Sequence, residues 1–477
     1  MKENIVRIIC CAVALIMLSF ITPAGAGDEY GIDYSTWEKY KSFYDDPSPY
    51  LAGELSWKKV IPPAIYDKLK SDPEEMKKVW AEVVGFKAPE VVGKIAPEIK
   101  PGKYSYTDKE KQPFKQLMDE DTYNRFNPGQ GPHAGNIPEI EIVPTKQYYY
   151  PLPIAKATKD NVGKVKQGTD GYLIDDSYVA GLPFPQPSGE FKAQQAVYNW
   201  EKKYLAGASY HLLQRGMGFS KDLKEDRVGT STMWFLRLHG RAWLEPNGWY
   251  DERAQKAGEK RMFSLLYLAP RDQYGNVLTN TMYLDPEHYD NFNVYVNVLR
   301  RVRRLSATDT QDAVGGMDVI YDDSETFSQK LSPKRYPYQY KIVAEREYLA
   351  VSPTVDGSWY MKKSDRSLQN MKYERRPQYV IELNQLDPNY VYSKRIIYQD
   401  KETLLNSSIY NYDQKGRLYR SAVMLYGFNP ELGIIFTTGY FNRDHLDLHT
   451  SFFYHYALPA TWISRDQVSL RSLRSVK

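Results

Sequence analysis

The chain has almost no cysteine. Its 477 residues include two, Cys10 and Cys11, and both lie inside an N-terminal stretch with the features of a secretion signal. We therefore expect a mature chain with no disulfide, no thiolate metal site and no cysteine nucleophile. A G-x-S-x-G motif is also absent, and the seven histidines form no catalytic signature. These absences favour a protein that is not an enzyme and carries no cofactor.

The chain also lacks a strong excess of either charge. Its 63 Lys and Arg residues against 59 Asp and Glu residues give a formal net charge of +4. Removing the signal, with Lys2, Glu3 and Arg7, leaves 61 basic and 58 acidic residues and a charge of +3. Because proteins that bind nucleic acid generally show a clear basic excess, we expect no nucleic-acid partner.

The N-terminal apolar run is too short to span a membrane. Residues 8–21 make a run of 14 residues, whereas a spanning helix needs about 20. The basic residues Lys2 and Arg7 precede this run, and a small-residue site, Ala24-Gly25-Ala26, follows it. The arrangement predicts a cleaved signal peptide over residues 1–26 and a periplasmic protein, with peripheral association at the outer membrane left open.

Tyrosine, by contrast, is abundant, with 41 residues beside nine tryptophans. Tyrosine suits half-buried strand surfaces that have one wet end, so its excess favours a β-rich protein with a partly polar inner face. Two alternatives stay open. Tyrosine simply replaces phenylalanine at many sheet positions, or the aromatic rings stack on sugars.

Strand patterns dominate from residue 207 to about 458. In residues 379–426, aromatic and β-branched residues alternate with turns at 400–402 and 413–416. Short turns between successive runs predict antiparallel pairing, because parallel strands need crossovers of a dozen or more residues. The other clear runs are residues 231–243, 261–268, 277–284, 293–305, 338–349 and 432–441.

The region before these strands has a different composition. It is rich in proline and contains one clear amphipathic helix, for which Ser71 and Glu74 predict a capping box. A second helix is expected over residues 190–205. We therefore divide the chain into a signal peptide (1–26), an N-terminal extension that wraps the main domain (27–190), a β domain (191–460) and a C-terminal tail (461–477).

Three pairs of short motifs resemble two related families. Residues 392–403 (Y-S-K-R-I-I-Y-x-D-K-E-T) and 412–418 (Y-D-x-K-G-x-L) are similar to the C-terminal hairpins of outer-membrane lipoprotein-sorting-like proteins of Gram-negative bacteria. Residues 181–185 (G-L-P-F-P), followed by N-W-x-x-x-Y at 199–204, resemble a family of uncharacterised periplasmic proteins with a domain of unknown function. That family is grouped with the sorting proteins. R-R-V-R-R at 300–304 and G-x-D-x-x-Y-D-D at 316–323 resemble the sorting-like pattern.

The resemblance implies an α+β fold, namely a curved antiparallel β half-barrel of lipoprotein-sorting type, with covering helices and a helical, Pro-rich N-terminal extension. It also implies non-enzymatic binding or carriage of a lipid or other hydrophobic ligand in the cell envelope. An envelope transporter or an outer-membrane protein is the implied protein partner. Two alternatives stay open: a scaffold subunit of an envelope transport complex without a ligand, and a polysaccharide-binding or polysaccharide-processing protein.

Alternating apolar residues supply the candidate ligand-binding positions. Such faces pack as core against a covering helix or form the wall of a ligand cavity, and the pattern does not separate the two. The cavity-wall candidates are Trp234, Leu236, Phe263, Leu265, Val294, Val296 and Val298. Arg301 and Arg303 share one face of a predicted strand and are candidates for an anion site at the cavity rim. The alternative is that these arginines are solvated charges balanced by nearby aspartates.

Two polar clusters have residue types that occur in metal or catalytic sites. His445, Asp447 and His449 would share one face of a strand and could seat a divalent ion, but an edge strand or a solvated turn is the favoured reading. Asp322 and Asp323 would point to opposite faces of a strand, which makes a poor catalytic pair. A helix cap, or pairing with the arginine run, suits them better. We therefore predict no metal site and no catalytic residue.

Overall fold

The computed structural model describes residues 57–470, except residues 130, 244–245, 306–309, 315–316, 354–358 and 460–462. The predicted signal peptide (1–26), the start of the predicted extension and the end of the predicted tail lie outside the described residues. Within the described ranges, no helix is both long enough and apolar enough to cross a membrane.

Short α-helices occur mainly in the N-terminal part of the chain. Those in the described residues are α1 (Trp57–Val60), α2 (Pro63–Leu69), α3 (Pro73–Val84), α4 (Ala88–Val91), α5 (Glu120–Arg125), α6 (Leu152–Asn161), α7 (Lys192–Glu201) and α8 (Glu252–Ala257). The predicted helices appear as α3 and α7. The cap of α3 is Asp72, whose carboxylate accepts the Glu74 N–H at 3.2 Å, so the prediction of Ser71 as the cap is wrong.

The strands follow in long runs. They are β1 (Gly102–Ser105), β2 (Glu139–Ile142), β3 (Tyr210–Phe219), β4 (Glu225–Arg237), β5 (Glu259–Ala269), β6 (Val277–Tyr283), β7 (Asn291–Val296), β8 (Arg301–Arg304), β9 (Tyr338–Val351), β10 (Tyr360–Met361), β11 (Leu368–Gln369), β12 (Met371–Gln385), β13 (Lys394–Asp400), β14 (Asn406–Tyr412), β15 (Leu418–Asn429), β16 (Ile434–Asp444) and β17 (Thr450–Pro459). Residues 293–305, predicted as one strand, are two strands joined by a turn.

One large sheet contains all of these strands except the β10–β11 hairpin. Its order is β9-β12-β13-β14-β15-β16-β17-β3-β4-β5-β6-β7-β8, and every pairing along it is antiparallel. Strand β2 joins the start of β12 in parallel, and β1 pairs with β2. Because β9 and β8 lie at opposite edges of the described sheet, the sheet is open. The predicted fold class, a curved antiparallel half-barrel with covering helices, is confirmed.

The sheet is built from two meanders that meet at one seam. Strands β3 to β8 form the first and β12 to β17 the second, and β3 pairs with β17 from Tyr210–Pro459 to Phe219–Thr450. The seam joins chain segments more than two hundred residues apart. Neither of its strands is among the clear runs in the sequence.

The N-terminal extension is attached to the turn between β13 and β14. The buried carboxylate of Glu402 accepts the backbone N–H groups of Ala88 at 2.8 Å and Tyr148 at 2.9 Å. The Trp80 indole N–H donates to the Glu402 carbonyl at 2.9 Å. A residue predicted to lie in a charged turn is therefore a buried anchor for three separate parts of the extension.

Alternate residues of β5 define the two faces of the sheet. Phe263, Leu265 and Tyr267 lie on what we call the inner face, and Leu266 and Leu268 lie on the outer face. The outer face is covered near β4 by a cluster formed by Leu236, Leu238, Ala254, Ile463 and Val468.

The inner face is covered by α7 and by residues 310–314 and 317–332, which we call the covering segment. Trp200 of α7 is fully buried, and its indole N–H donates to the Phe327 carbonyl at 2.7 Å. The covering segment also places Val314, Met317 and Val319 over the strands. A second layer of chain therefore packs over the inner face of the sheet.

Candidate functional site

An apolar cavity of about 480 Å³ lies between the inner face and the covering segment. Its size is within the range of about 300–1,000 Å³ that is typical of small-molecule sites. Its apolar lining includes Leu212, Met233, Phe235, Phe263, Leu265, Leu278, Val314, Met317, Val319 and Phe453. We call it the apolar cavity.

A second cavity, of about 610 Å³, adjoins the first and shares Arg261, Tyr321 and Ser328 with it. Eight lysines and arginines line it, against three acids, so we call it the cationic cavity. The basic residues are Lys202, Lys203, Arg237, Lys260, Arg261, Arg304, Lys330 and Arg335, and the acids are Glu201, Asp290 and Asp322. The two cavities together present an apolar surface that continues into a positively charged one.

The register of β4 against β5 places this change of character along the strands. Residues that are directly opposed in an antiparallel pair share a face. From the apolar end, the opposed pairs are Met233–Leu265, Phe235–Phe263 and Arg237–Arg261. The inner face of two neighbouring strands therefore runs from aliphatic to aromatic to cationic within five residues of each strand.

Two adjacent aspartates anchor the covering segment. Asp323 is fully buried and pairs with the equally buried Arg395 at 2.6 Å between Oδ1 and Nη1. Asp322 accepts the Tyr390 hydroxyl at 2.7 Å, and burial raises the pKa of Asp322 to about 7. The expectation that these acids cap a helix or pair with the 300–304 arginine run is wrong, because their partners come from the segment leading into β13 and from β13 itself.

Glu325 lies where the two cavities meet. Its carboxylate accepts the Tyr210 hydroxyl at 2.9 Å and pairs with Lys203 at 3.1 Å. Burial opposes ionisation of Glu325, but the charges of Lys203 and Arg261 hold its pKa below its usual range. Glu325 is therefore an ionised group that forms an ion pair with Lys203.

The structure divides the predicted cavity-wall residues into three groups. Phe263 and Leu265 line the apolar cavity. Trp234 and Leu236 lie on the outer face instead, packed with α8 and residues 463–468, so their placement in a cavity wall is wrong for both cavities. The physical reason is that β4 is covered on both faces, so apolar residues occur at odd and even positions alike and alternation does not identify the inner face.

The third group comes from β7 and the turn after it. Val294 is opposed to Leu278 on the inner face, but both Val294 and Val296 are half-buried and lie outside the two cavities. Val298 follows the end of β7 and is 79% exposed. The prediction that these three valines line the cavity is wrong because the sheet edge extends beyond the covering segment.

The arginine run lies on the edge strand β8. Arg301 and Arg303 are exposed, are opposed to Val296 and Val294, and line neither cavity. Arg304, which was not chosen as a rim residue, lines the cationic cavity. Sequence reasoning also missed Arg237 and Arg261. The sequence could have indicated Arg261, because it stands two residues before Phe263 and so lies on the same strand face.

The histidine cluster does not form a strand face. Residues 445–449 make the turn between β16 and β17, where His445 contacts Ser421 at 2.8 Å and His449 faces Asp318 at 3.6 Å. No group of three or more His, Cys, Asp or Glu side chains suited to a metal ion occurs within the ranges that the structure describes.

His455 is a buried neutral group in the lining of the apolar cavity. Its ring nitrogens contact Thr437 at 2.7 Å and Gln214 at 3.0 Å, and burial lowers its pKa to about 4. The pKa of the unfolded chain lies near 6.5, so the unfolded state takes up the proton first as the pH falls. Stability that is fully present above pH 6.5 is therefore lost as the pH falls towards 4.

We expect His455→Gln to remove part of this acid sensitivity. Between pH 7.5 and 4.5 the wild-type protein should lose about 2–3 kcal/mol more unfolding free energy than the variant, which cannot take up this proton. Urea unfolding at both pH values measures the difference. Parallel losses in the two proteins would contradict the assignment of His455 as a neutral buried group.

The fold and the cavities define a class of protein, an open antiparallel half-barrel with two adjoining cavities at its inner face. The model of the family described as protein of unknown function, DUF1329, matches residues 120–457, so the chain belongs to that family. The resemblance inferred from the sequence to a family of unknown function is confirmed.

Solved structures with similar folds include three at low sequence identity. A domain described as an outer membrane lipoprotein-sorting protein domain, from Vibrio parahaemolyticus, is 14% identical, covers 59% of this chain and 98% of its own, and has a TM-score of 0.42. A DUF1329 family protein from Desulfovibrio piger is 14% identical, covering 56% and 92%, with a TM-score of 0.40. A LolA superfamily protein from Nitrosomonas europaea is 13% identical, covering 59% and 98%, with a TM-score of 0.37. No curated protein matches the sequence.

Proposed function

We propose that this protein binds a lipid or another hydrophobic molecule on the inner face of its half-barrel and carries it within the periplasm without catalysing a reaction. The apolar cavity of about 480 Å³ is the observation that carries the proposal. Burial of apolar surface is favourable by about 25 cal/mol per Å², so an acyl chain enclosed there gains free energy without any specific polar contact.

The placement of the aromatic residues supports a lipid over a sugar. A sugar-binding platform presents exposed rings in a row. In the described part of the chain, the large aromatic side chains that are exposed are Tyr106, 40% exposed after β1, and Tyr289, 55% exposed before β7. They lie on separate elements and form no row, whereas the apolar cavity is a concave site with a mainly apolar lining.

The periplasmic location is part of this proposal. It rests on the signal peptide predicted over residues 1–26. An envelope transporter or an outer-membrane protein that supplies or receives the ligand is a further part of the proposal, as carriage requires a donor and an acceptor.

The direct test is mass spectrometry of an organic extract from the mature protein, purified from a Gram-negative periplasm. A lipid present at about one molecule per protein supports the proposal and identifies the ligand class. An extract without lipid, together with no thermal shift on adding fatty acids or phospholipids, would overturn the proposal. The favoured function would then be that of a scaffold subunit of an envelope transport complex without a ligand.

Filling the apolar cavity provides a second test. We expect Leu265→Trp to reduce the co-purifying lipid to less than about one tenth of the wild-type amount, because the larger side chain occupies the space of the ligand. The matched control is Val298→Trp, which adds the same side chain at an exposed position outside the cavity. Wild-type lipid content in the Leu265 variant, with a native circular dichroism spectrum, would contradict the proposed site.

A further inference from the structure

We propose that the ligand is an anionic amphiphile whose carboxylate or phosphate head group binds between Arg237 and Arg261, with its acyl chain in the apolar cavity. This inference rests on the proposed function and specifies the ligand class for the same site. Its basis is the arrangement of charges where the two cavities meet.

The two arginines form an opposed pair of like charge. Arg237 and Arg261 lie directly across from each other on β4 and β5, an arrangement that destabilises a sheet unless an anion compensates it. Both side chains line the cationic cavity, and Arg261 lines the apolar cavity as well. An anion held between them would turn a repulsive pair into a bridged one.

Arg261 lies 5.9 Å from the centroid of the Phe235 ring but has no direct polar partner among the described residues. Within the described part of the chain its guanidinium makes no hydrogen bond and no salt bridge, and its Nε is buried without a partner. Arg237 donates through Nη2 to the carbonyl oxygens of Lys202 and Lys203, while its own Nε is also buried without a partner. Buried donors of this kind carry a desolvation cost that a bound oxyanion would relieve.

The lysines nearby already have carboxylate partners. Lys202 and Lys260 both pair with Glu201, and Lys203 pairs with Glu325. Two carboxylates therefore face three lysines, and Glu325 also feels the charge of Arg261, so the five basic groups and two acids carry a net charge of +3. Guanidinium groups bind carboxylate and phosphate through two parallel hydrogen bonds, which suits the proposed head group.

The spacing along the strands fits an amphiphile. Two residues of a strand span about 7 Å, so the Phe235–Phe263 pair begins one such step from the arginines and the Met233–Leu265 pair lies two steps away. A ligand with its acid group at Arg237 and Arg261 would therefore lay its chain over aromatic and then aliphatic side chains on a single face.

The test compares four amphiphiles of equal chain length on the mature full-length protein, delipidated and titrated by calorimetry. Dodecanoate and dodecyl phosphate carry the two proposed acid groups, dodecanol is neutral and dodecyltrimethylammonium is cationic. We expect at least one of the two anions to bind about tenfold or more tightly than dodecanol, and the cation to bind most weakly. The tighter anion distinguishes a fatty-acid source from a phosphate-bearing lipid.

Arg261→Gln should abolish the preference for the anion while leaving the affinity for dodecanol within about threefold of wild type. Arg261→Lys keeps the charge without the two-pronged geometry and should be intermediate. Arg237→Gln tests the other half of the pair. Arg303→Gln, on the exposed edge strand, is the matched control and should behave as wild type.

The outcomes separate the two proposals. Equal binding of dodecanol and the anions, or an anion preference that survives both glutamine variants in folded protein, overturns the head-group site and leaves hydrophobic binding in place. If none of the four amphiphiles binds and the organic extract is clean, the proposed function itself fails.

Discussion

Replacing Arg376 with methionine is expected to lower the free energy of unfolding by about 3–5 kcal/mol. Arg376 is 2% exposed, and its Nε and Nη2 donate to Asp400 at 2.6 Å and to Glu402 at 2.7 Å. Its Nη1 donates to the Lys146 carbonyl at 2.7 Å. The variant leaves three buried carboxylates, those of Glu374, Asp400 and Glu402, without their cation, a larger cost than the loss of a surface pair.

The same change should loosen the N-terminal extension, because Glu402 also holds the N–H groups of Ala88 and Tyr148. Urea unfolding measures the loss of stability, and hydrogen exchange of the extension measures the loosening. Lys256→Met provides the control, since Lys256 forms an exposed pair with Glu252 and should cost less than about 0.5 kcal/mol. A loss no larger than in this control would contradict the assigned role of Arg376.

The second large effect is expected for Asp323→Ala, which removes the anchor of the covering segment. Arg395, fully buried, loses its carboxylate partner and retains the Asn411 and Tyr390 side chains as neutral acceptors. An uncompensated buried charge of this kind costs about 3–5 kcal/mol. Because the covering segment forms one wall of the apolar cavity, we also expect the proposed lipid binding to be lost.

A double variant separates the charge effect from packing. Asp323→Leu combined with Arg395→Met removes both charges, so it should be less destabilised than Asp323→Ala alone, by about 2 kcal/mol or more. Urea unfolding of Asp323→Leu, Arg395→Met and the double variant gives the coupling energy. Additive losses would show that Asp323 and Arg395 do not act as a pair.

Much of the sheet could be predicted from local sequence. The hairpins between residues 379 and 426 combine Tyr, Ile and Val with Asp and Gly at the turns, and the structure has β12 to β15 there. Helix α3 was also recognisable from its apolar spacing. These elements depend on residues close together in the chain, which is the information that pattern analysis uses.

The seam between β3 and β17 could not be predicted in the same way. Strand β3 contains Gly216 and Gly218, and β17 begins beside the polar turn at 445–449, so neither has a clean strand pattern. Their pairing depends on contacts between segments that are remote in the chain. Burial of Glu402 could not be predicted either, because its neighbours in the sequence indicate a solvated turn, whereas its partners Ala88 and Tyr148 are remote in the chain.

The site residues show most clearly what local sequence patterns cannot predict. The apolar and charged residues of β4 and β5 are plain in the sequence, and two of the predicted cavity-wall residues, Phe263 and Leu265, line the apolar cavity. Alternation shows that a strand has two faces, but which face encloses a cavity depends on what packs against each. Residues 463–468 cover the face of Leu236, and the covering segment faces the arginine pair.

The sequence by itself determined the family and the antiparallel hairpins, because these depend on local patterns and short motifs. Only the tertiary structure decided that the inner face encloses an apolar cavity beside a cationic one, and that Arg237 and Arg261 stand opposed at their junction. Cross-strand register and the covering of each face arise from contacts between distant segments, so no local pattern specifies them.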